Sequence, residues 1–572
     1  MQDQYTNIVK MTNYPFTTSN GAPVKIPDQS QRIGNQHRGT NLIQDIHLLE
    51  LIQHVTKERV PERLVHARGS GAHGFFEVTD PWIADVTSAA FLTQVGKKTP
   101  LFFRGSTTGG ASGSAETVRD TRGFGFKLYT EEGNLDWAFL STPIFSIRDG
   151  IKFPSLIHAT KKNPRTNLPD ANMFWDFFTN NPESAHFLSM LFTDRATPKA
   201  YQNSDIWSIN TYRFTKNDGS FVYCRITMKP VLGIATFDAH QAQEKAGADA
   251  EFHSRELFEA IEKAQSNPDE FPFPEWEVFA QIVTPEDLLT LSVNIFDATK
   301  TIPQSEVPLQ KFGKVVLNKN PDNFFAEVEQ AAFSPTNVVP GWALSPDPIL
   351  QTRALAYPDT QRYRIGVNFA QLPVNKPTTK VFNPLMRDGF CTTENLGSTP
   401  NYYPSSFLTI GTAPQFPQPD QEFYQGTVVQ FALPITDEDF AQPRNFVENV
   451  LTPQEQDALV LNVAKSLADA SIESVRTRAI EEIWKRISQF IGNRIADETA
   501  RELIRREQGM NISKLASLDI QPPKKNRRVF SAHNEGIFSH LPHVESRAAA
   551  GTRKLTGNNG IKATNGTNGV RH

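Results

Sequence analysis

Between residues 64 and 150 the chain repeats one pattern: a short aromatic or branched apolar run, a glycine or polar turn, then another run. FFEVT (75–79), LFFRGST (101–107), FGFKLYT (124–130) and WAFLS (137–141) are long enough for strands and too short for helices. Closely spaced strands of this kind pair antiparallel, with alternate side chains on one shared face. The pattern therefore commits the first half of the chain to a sizeable antiparallel sheet. Similar runs return at 206–228, where Asn217-Asp218-Gly219 is a hairpin signal, and at 276–283 and 313–318.

Helical periodicity is confined to three places. Apolar residues recur three and four apart over 43–59, again over 170–200, and from 452 to about 507. Residues 320–440 hold many prolines and read as a segment that wraps over other structure. The expected class is α+β. Its organisation is an N-terminal arm (1–42), a strand-rich core with inserted helices (43–320), a wrapping segment (321–440), a C-terminal helical domain (441–507) and a tail (508–572). The tail, with KKNRR and a Gly/Asn/Thr-rich end, lacks the apolar surface to offset its ordering entropy and is expected to be disordered.

Composition narrows the function classes. The 572 residues carry a net charge of −4 without long runs of one sign, so nothing calls for a nucleic-acid partner. Cys224 and Cys391 are the only cysteines, which excludes a disulfide framework and a cysteine-rich metal site. No apolar stretch reaches the ~18 residues of a membrane span. The polar N-terminus has no signal-peptide core. An intracellular protein is expected, cytosolic or peroxisomal. Ser513-Lys514-Leu515 is internal and the chain ends Val-Arg-His, so no C-terminal peroxisomal tripeptide is seen.

Three segments carry polar groups that a core would not choose. The first runs from Arg63 through Val65 and His66 to Glu77, framed by glycines. The second holds Arg104, Ser106, Arg119, Asp120 and Arg122 among aromatic residues. In the third, Arg353 and Tyr357 are four apart, so on a helix the guanidinium reaches the phenol. A phenol ordinarily ionises near pH ~10, and a guanidinium and a ferric ion both favour its anion. Pro358 is expected to kink this helix. Taken singly, each segment is unremarkable: a lone histidine is more often a satisfied core residue, and Tyr–Arg pairs are common on helix surfaces.

Together and in order, the three segments resemble the catalase family. The resemblance extends through RLVHARGSGAHGFFEVTD, SGSAETVRDTRGFGFKLYTEEGN, TPIFSIRDGIKFPSLIHATKKNP, VLNKNPDNFFAEVEQAAFSP, RALAYPDTQRYRIGVNFAQLPVN and NYYPSSF, covering roughly 15–505. It implies the catalase fold, an antiparallel eight-stranded β-barrel whose wrapping segment carries the proximal ligand of haem b. Residue by residue, it makes Tyr357 the iron ligand and Arg353 its charge partner. His66 becomes the distal proton-transfer group, with Ser106 hydrogen-bonded near it and Val65 narrowing the approach. Arg63, Arg104 and Arg364 hold the propionates, Phe145 and Phe153 line the porphyrin face, and Asp120 lies on the access channel.

The sequence departs from the family at one first-rank position. Where catalases carry Asn-Asn-Thr-Pro, this chain reads Leu140-Ser141-Thr142-Pro143, and Leu140 cannot donate the hydrogen bond of the catalytic asparagine. Loss of such a donor typically costs about 3–4 kcal/mol of transition-state stabilisation. Phe145-Ser146 likewise replaces a pair of phenylalanines. His186, Thr193, Arg195 and Lys229 match positions that bind NADPH in small-subunit catalases, while Thr301, Ile302 and Gln304 replace the rest of that pattern. These departures resemble the fungal chanoclavine synthases of ergot-alkaloid pathways. The expectation is a specialised enzyme using haem, NADPH and reduced oxygen species such as superoxide to cyclise a small organic substrate. The alternative is an ordinary catalase acting on hydrogen peroxide. A homo-oligomer, dimer or tetramer, is expected from the arm and wrapping segments.

Overall fold

The computed structural model describes residues 15–34, 39–408, 426–427 and 429–518. The described residues up to Glu507 form one compact unit; beyond it, the description covers only the end of a helix reaching Leu518. The expected tail from 519 onward lies outside the described residues, as do parts of the arm.

The aromatic runs form the strands the sequence predicts: β1 (Gly69–Val78), β2 (Lys98–Thr107), β3 (Arg122–Thr130) and β4 (Gly133–Leu140). They are followed by β5 (Ile206–Trp207), β6 (Tyr212–Thr215), β7 (Phe221–Pro230), β8 (Glu275–Val283), β9 (Gln310–Lys319) and β10 (Trp342–Leu344). The ten strands are ordered β8-β9-β1-β2-β3-β4-β5-β7-β6-β10, and β7 also pairs with β8. That last pairing closes an antiparallel barrel of eight strands, with β6 and β10 extending from β7 as a flap.

Period-two alternation decides which side chains point inward. On β1 these are Ala72, Phe76 and Val78; on β2, Leu101 and Phe103; on β3, Phe124, Phe126 and Leu128; on β4, Leu135, Trp137 and Phe139. Rings interlock edge to face, as Phe76 does on Phe91 and Trp137. Trp137 and Phe139 stack with centroids 5.6 Å apart. Each fully buried aromatic stabilises the barrel by roughly 1.5–3 kcal/mol through area removed from water. Eight of the 41 phenylalanines fill this barrel core, and a comparable set packs among the helices.

A second core joins helices distant in sequence. Trp175 and Phe178 of α2 (Ala171–Thr179) and Leu188 of α3 (Ala185–Leu191) pack with Val463 and Leu467 of α5 (Pro453–Asp469) and with Trp484 and Ile487. A capping box, Thr452 with Glu455, fixes the start of α5. The last helix, α6 (Gln489–Leu518), continues beyond the expected boundary at 507 and runs through Gly509. Among the described residues, no helix is long and apolar enough to cross a membrane.

The wrapping segment is held to the barrel by polar ties. Lys127 and Asp136 form a buried ion pair (Nζ to Oδ1, 2.7 Å), and Asp136 also accepts from the Ser334 backbone N–H (2.9 Å) and Asn337 Nδ2 (2.7 Å). Tyr129 donates to the Val374 carbonyl (2.6 Å) and Asn134 to the Asn375 carbonyl (2.8 Å). The segment contains a helix, α4 (Pro348–Arg364), between α3 and α5. Pro358 lies inside α4 and the helix continues past it to Arg364. Pro358 lacks the N–H that would bond the Ala354 carbonyl, so one intrahelical bond is lost while the helix, where a kink is expected, runs on unbroken.

Candidate active site

A cavity opens between the barrel wall and α4. The ends of β2, β3 and β4 supply Ser106, Phe124 and Leu140, the chain before β1 supplies Val65 and His66, and α4 supplies Tyr357 and Gln361. Arg63, Arg104 and Thr360 also line it, and the rest is largely apolar, with Phe139, Phe153 and Phe333 among the lining rings.

One side rests on a chain of hydrogen bonds that begins at a helix cap. Asp347 caps α4 by accepting from the N–H groups of Ile349 and Leu350. Its other oxygen accepts from Asn210 Nδ2 (2.9 Å), whose Oδ1 accepts from Arg353 Nη1 (2.5 Å). Arg353 Nη2 then donates to the Tyr357 hydroxyl (3.0 Å) and to the Ala138 carbonyl (2.5 Å). Burial opposes the charge on Arg353, but Tyr357 and Tyr212 beside it raise its pKa above the ordinary value. The helical spacing predicted for this pair is the spacing observed.

The opposite side is held by close packing. His66 has φ +64°, a left-handed conformation uncommon for a residue with a side chain. Its N–H donates to the Thr108 carbonyl (3.1 Å), and its Nδ1 stands 3.1 Å from Ser106 Oγ. Gly123 is required here, because a Cβ at that position would lie 2.3 Å from His66 Nδ1. Burial, then the charges of Arg104, Arg353 and Arg63, depress the pKa of His66 to about 3, leaving a neutral imidazole at working pH. Leu140 closes this wall in register with Gly123 and adds no donor.

The third element is cationic. Arg63 donates to the carbonyls of Val328, Glu329 and Ala331. Arg104 donates to those of His66 and Ala67, and its buried Nε has no partner among the described residues. Arg364 bonds Glu329 Oε1 (2.8 Å) and the Pro61 carbonyl (2.9 Å). Burial lowers the pKa of Arg63 well below the ordinary value, and Arg104 and Arg364 depress it further; burial brings Arg104 down to about 10. Glu329 is the carboxylate that faces all three guanidinium groups, so the cluster retains an excess of two positive charges. A largely apolar cavity whose lining holds a phenol, an imidazole and guanidinium groups with two uncompensated charges fits a porphyrin with two carboxylates.

The structure brings together most residues the sequence singled out: Arg63, Val65, His66, Arg104, Ser106, Leu140, Phe153 and Tyr357 line the cavity, with Arg353 and Arg364 bonded at its edge. Phe145 is the exception. Its N–H pairs with the Ala298 carbonyl, and its ring packs against the helical core, away from the cavity lining. Asp120 accepts from the N–H groups of Thr108 and Gly109 (both 2.7 Å), the loop whose Thr108 carbonyl also anchors His66. Asn210, Asp347, Gly123 and Glu329 escaped the sequence reading; only the glycine run 123–125 gave a local signal of close approach.

Of the four positions expected for NADPH, Arg195 and Lys229 both act on the Asp205 carboxyl. Arg195 lines a second, small cavity. His186 is buried, its pKa lowered to about 4 by burial and then by Lys300. The Thr193 hydroxyl is spent on the Met190 carbonyl (2.7 Å). Lys229 is exposed and lies over the Phe279 ring.

Comparison with known proteins places this geometry. Residues 17–409 match the family model described as Catalase, and residues 434–499 match Catalase-related immune-responsive. Catalase A of Botryotinia fuckeliana is 62% identical over 456 residues, covering 79% of this chain and 94% of its own. The peroxisomal catalase of Pichia angusta is 44% identical over 501 residues, 85% of this chain and 97% of its own. The solved structure of catalase A from Saccharomyces cerevisiae superposes with a TM-score of 0.80 at 40% identity, covering 85% of this chain and 99% of that one. These likenesses overturn the expectation of a chanoclavine-type oxidative cyclase, and with it superoxide chemistry and ergot-alkaloid biosynthesis. The physical reason lies in the site: the phenol–guanidinium pair, the imidazole–hydroxyl pair and the arginine rim are all intact around one substituted side chain, Leu140.

Proposed function

The chain belongs to the catalase family, a haem oxidoreductase by that membership, and we propose on this premise that it converts hydrogen peroxide to water and dioxygen. The observation that carries the reading is the pairing of Arg353–Tyr357 and His66–Ser106 across one cavity.

Tyr357 would ligate the iron, Arg353 would stabilise the charge on its oxygen, and Arg63, Arg104 and Arg364 would hold the two propionates, a task suited to forked donors. Haem, when bound, supplies an iron that accepts and returns the oxidising equivalents of peroxide. With Nδ1 engaged by Ser106, His66 takes a proton from one peroxide oxygen at Nε2 and returns it to the other, so that water leaves. The apolar wall of Leu140, Phe153 and Phe139 excludes bulk water and keeps that proton local.

Finer features follow the same reading. The second cavity is assigned to a pyridine nucleotide, the class to which the expected NADPH belongs. Exposed apolar residues on α1 (the first helix, Ile46–Val55) and along the wrapping segment, including Leu51, Ile52, Phe382, Leu385 and Phe390, support a homo-oligomer. The relatives named peroxisomal catalases support a peroxisomal or cytosolic site of action. For the main proposal, purified holoprotein given peroxide alone should evolve dioxygen. Peroxide loss that requires an added organic reductant would reject it.

A further inference from the structure

Glu329 does not line the haem cavity, yet it bonds guanidinium groups from two distant parts of the chain. Its Oε1 accepts from Arg364 Nη2 (2.8 Å), at the end of α4, and from Arg63 Nη1 (3.5 Å), ahead of β1. Its backbone carbonyl accepts from the same two side chains, Arg63 Nη2 (2.9 Å) and Arg364 Nη2 (3.3 Å). Arg63, Arg104 and Arg364 are 8%, 4% and 3% exposed, so salt and water screen their charges little. Burial depresses the pKa of each guanidinium, and Glu329 opposes that depression at all three.

The carboxylate is delivered by one wide turn, Phe325–Glu329, closed by the Gln330 N–H on the Phe325 carbonyl (3.1 Å). A turn with this five-residue step is rare and tends to mark functional places. It is clamped from both sides. Glu327 accepts from the backbone N–H groups of Asp322 and Asn323 (both 2.9 Å) and meets His73 Nε2 of β1 (2.5 Å). Val328, fully buried, packs with Phe102 and Phe333. Glu329 follows directly and is aimed at the arginine rim.

We propose that Glu329 is a positioning residue whose charge trims the three rim cations to two and thereby holds the haem iron in its ferric state. The proposal rests on haem occupying the cavity. Two propionates answer two guanidinium groups, and a third, uncompensated cation beside them would favour the more electron-rich iron. Burial and hydrogen bonding around a haem are levers on its potential, and a charge acts strongly where the dielectric is low. The carboxylate silences that third cation while it orients Arg63 and Arg364.

Spectroelectrochemical titration of the holoprotein tests it. Glu329→Gln keeps the shape of a partly exposed side chain and removes its charge, so the fold should hold. The variant is expected to shift the ferric–ferrous equilibrium toward ferrous iron by about tenfold, or about 59 mV for one electron. Glu329→Asp, which keeps the charge, should stay close to the parent protein. Glu327→Gln, which weakens the clamp on the turn and leaves the rim charge alone, should do the same. An unchanged potential in Glu329→Gln, or an equal shift in either of the other variants, would overturn the proposal. A parent protein without a haem absorption band would instead overturn the reading of the cavity.

Discussion

The Tyr357 side and the His66 side of the haem cavity reach the same rigidity by opposite means. Behind Tyr357, polar groups are bonded in series from the cap of α4: Asp347 to Asn210, Asn210 to Arg353, Arg353 to the phenol. Behind His66 there is one hydroxyl, a left-handed backbone and a glycine that leaves room for the ring. The first arrangement fixes charge; the second fixes a neutral base in an apolar wall. The lesson is that substitutions on the two sides should fail differently, the one by losing the cofactor and the other by losing proton transfer.

The largest expected effect is on the Tyr357 side. Tyr357→Phe removes the iron ligand while keeping the ring, so haem content and the tyrosinate features of the absorption spectrum should both collapse. Full haem retention with an unchanged spectrum would break the comparison there. On the other side, His66→Ala should keep haem and lower turnover by roughly 10²–10⁴-fold, the usual reach of acid–base catalysis. Leu140→Asn places a donor beside His66 and should raise peroxide turnover, by as much as about a hundredfold if the missing donor limits the rate. An unchanged rate would show that the apolar wall is not limiting. The smallest effect is structural: Asp347→Ala should destabilise the fold by about 2–3 kcal/mol in urea, combining a lost helix cap with an unmatched Asn210 amide.

The buried histidines add a pH signature. His66, His186 and His253 are lowered from 6.5 to about 3, 4 and 3, in each case chiefly by burial. The unfolded chain therefore binds more protons than the native one between those values and 6.5. Their contribution to stability is fully present above pH 6.5 and is lost as pH falls toward 3. Acid unfolding followed by fluorescence should steepen across that window. His66→Ala should flatten it without moving its upper edge.

How much of this was legible differed by interaction range. The barrel strands were readable because alternating aromatics and glycine turns are local signals, and the Arg353–Tyr357 spacing is a property of one helix. Asn210, Asp347 and Glu329 were not readable, since each works through partners 137 residues away or across separate elements. Phe145 packs against the helical core and is not among the residues lining the cavity, a tertiary placement that no local pattern encodes. Leu140 lines the cavity where the resemblance puts an altered position, but one side chain does not outweigh an otherwise complete site when the reaction is inferred from it.

The most direct test of the account is isotopic. Holoprotein supplied with a mixture of fully labelled and unlabelled hydrogen peroxide, and no reductant, should release dioxygen whose two oxygen atoms come from the same peroxide molecule. Absence of dioxygen, or dioxygen with scrambled label, would contradict it.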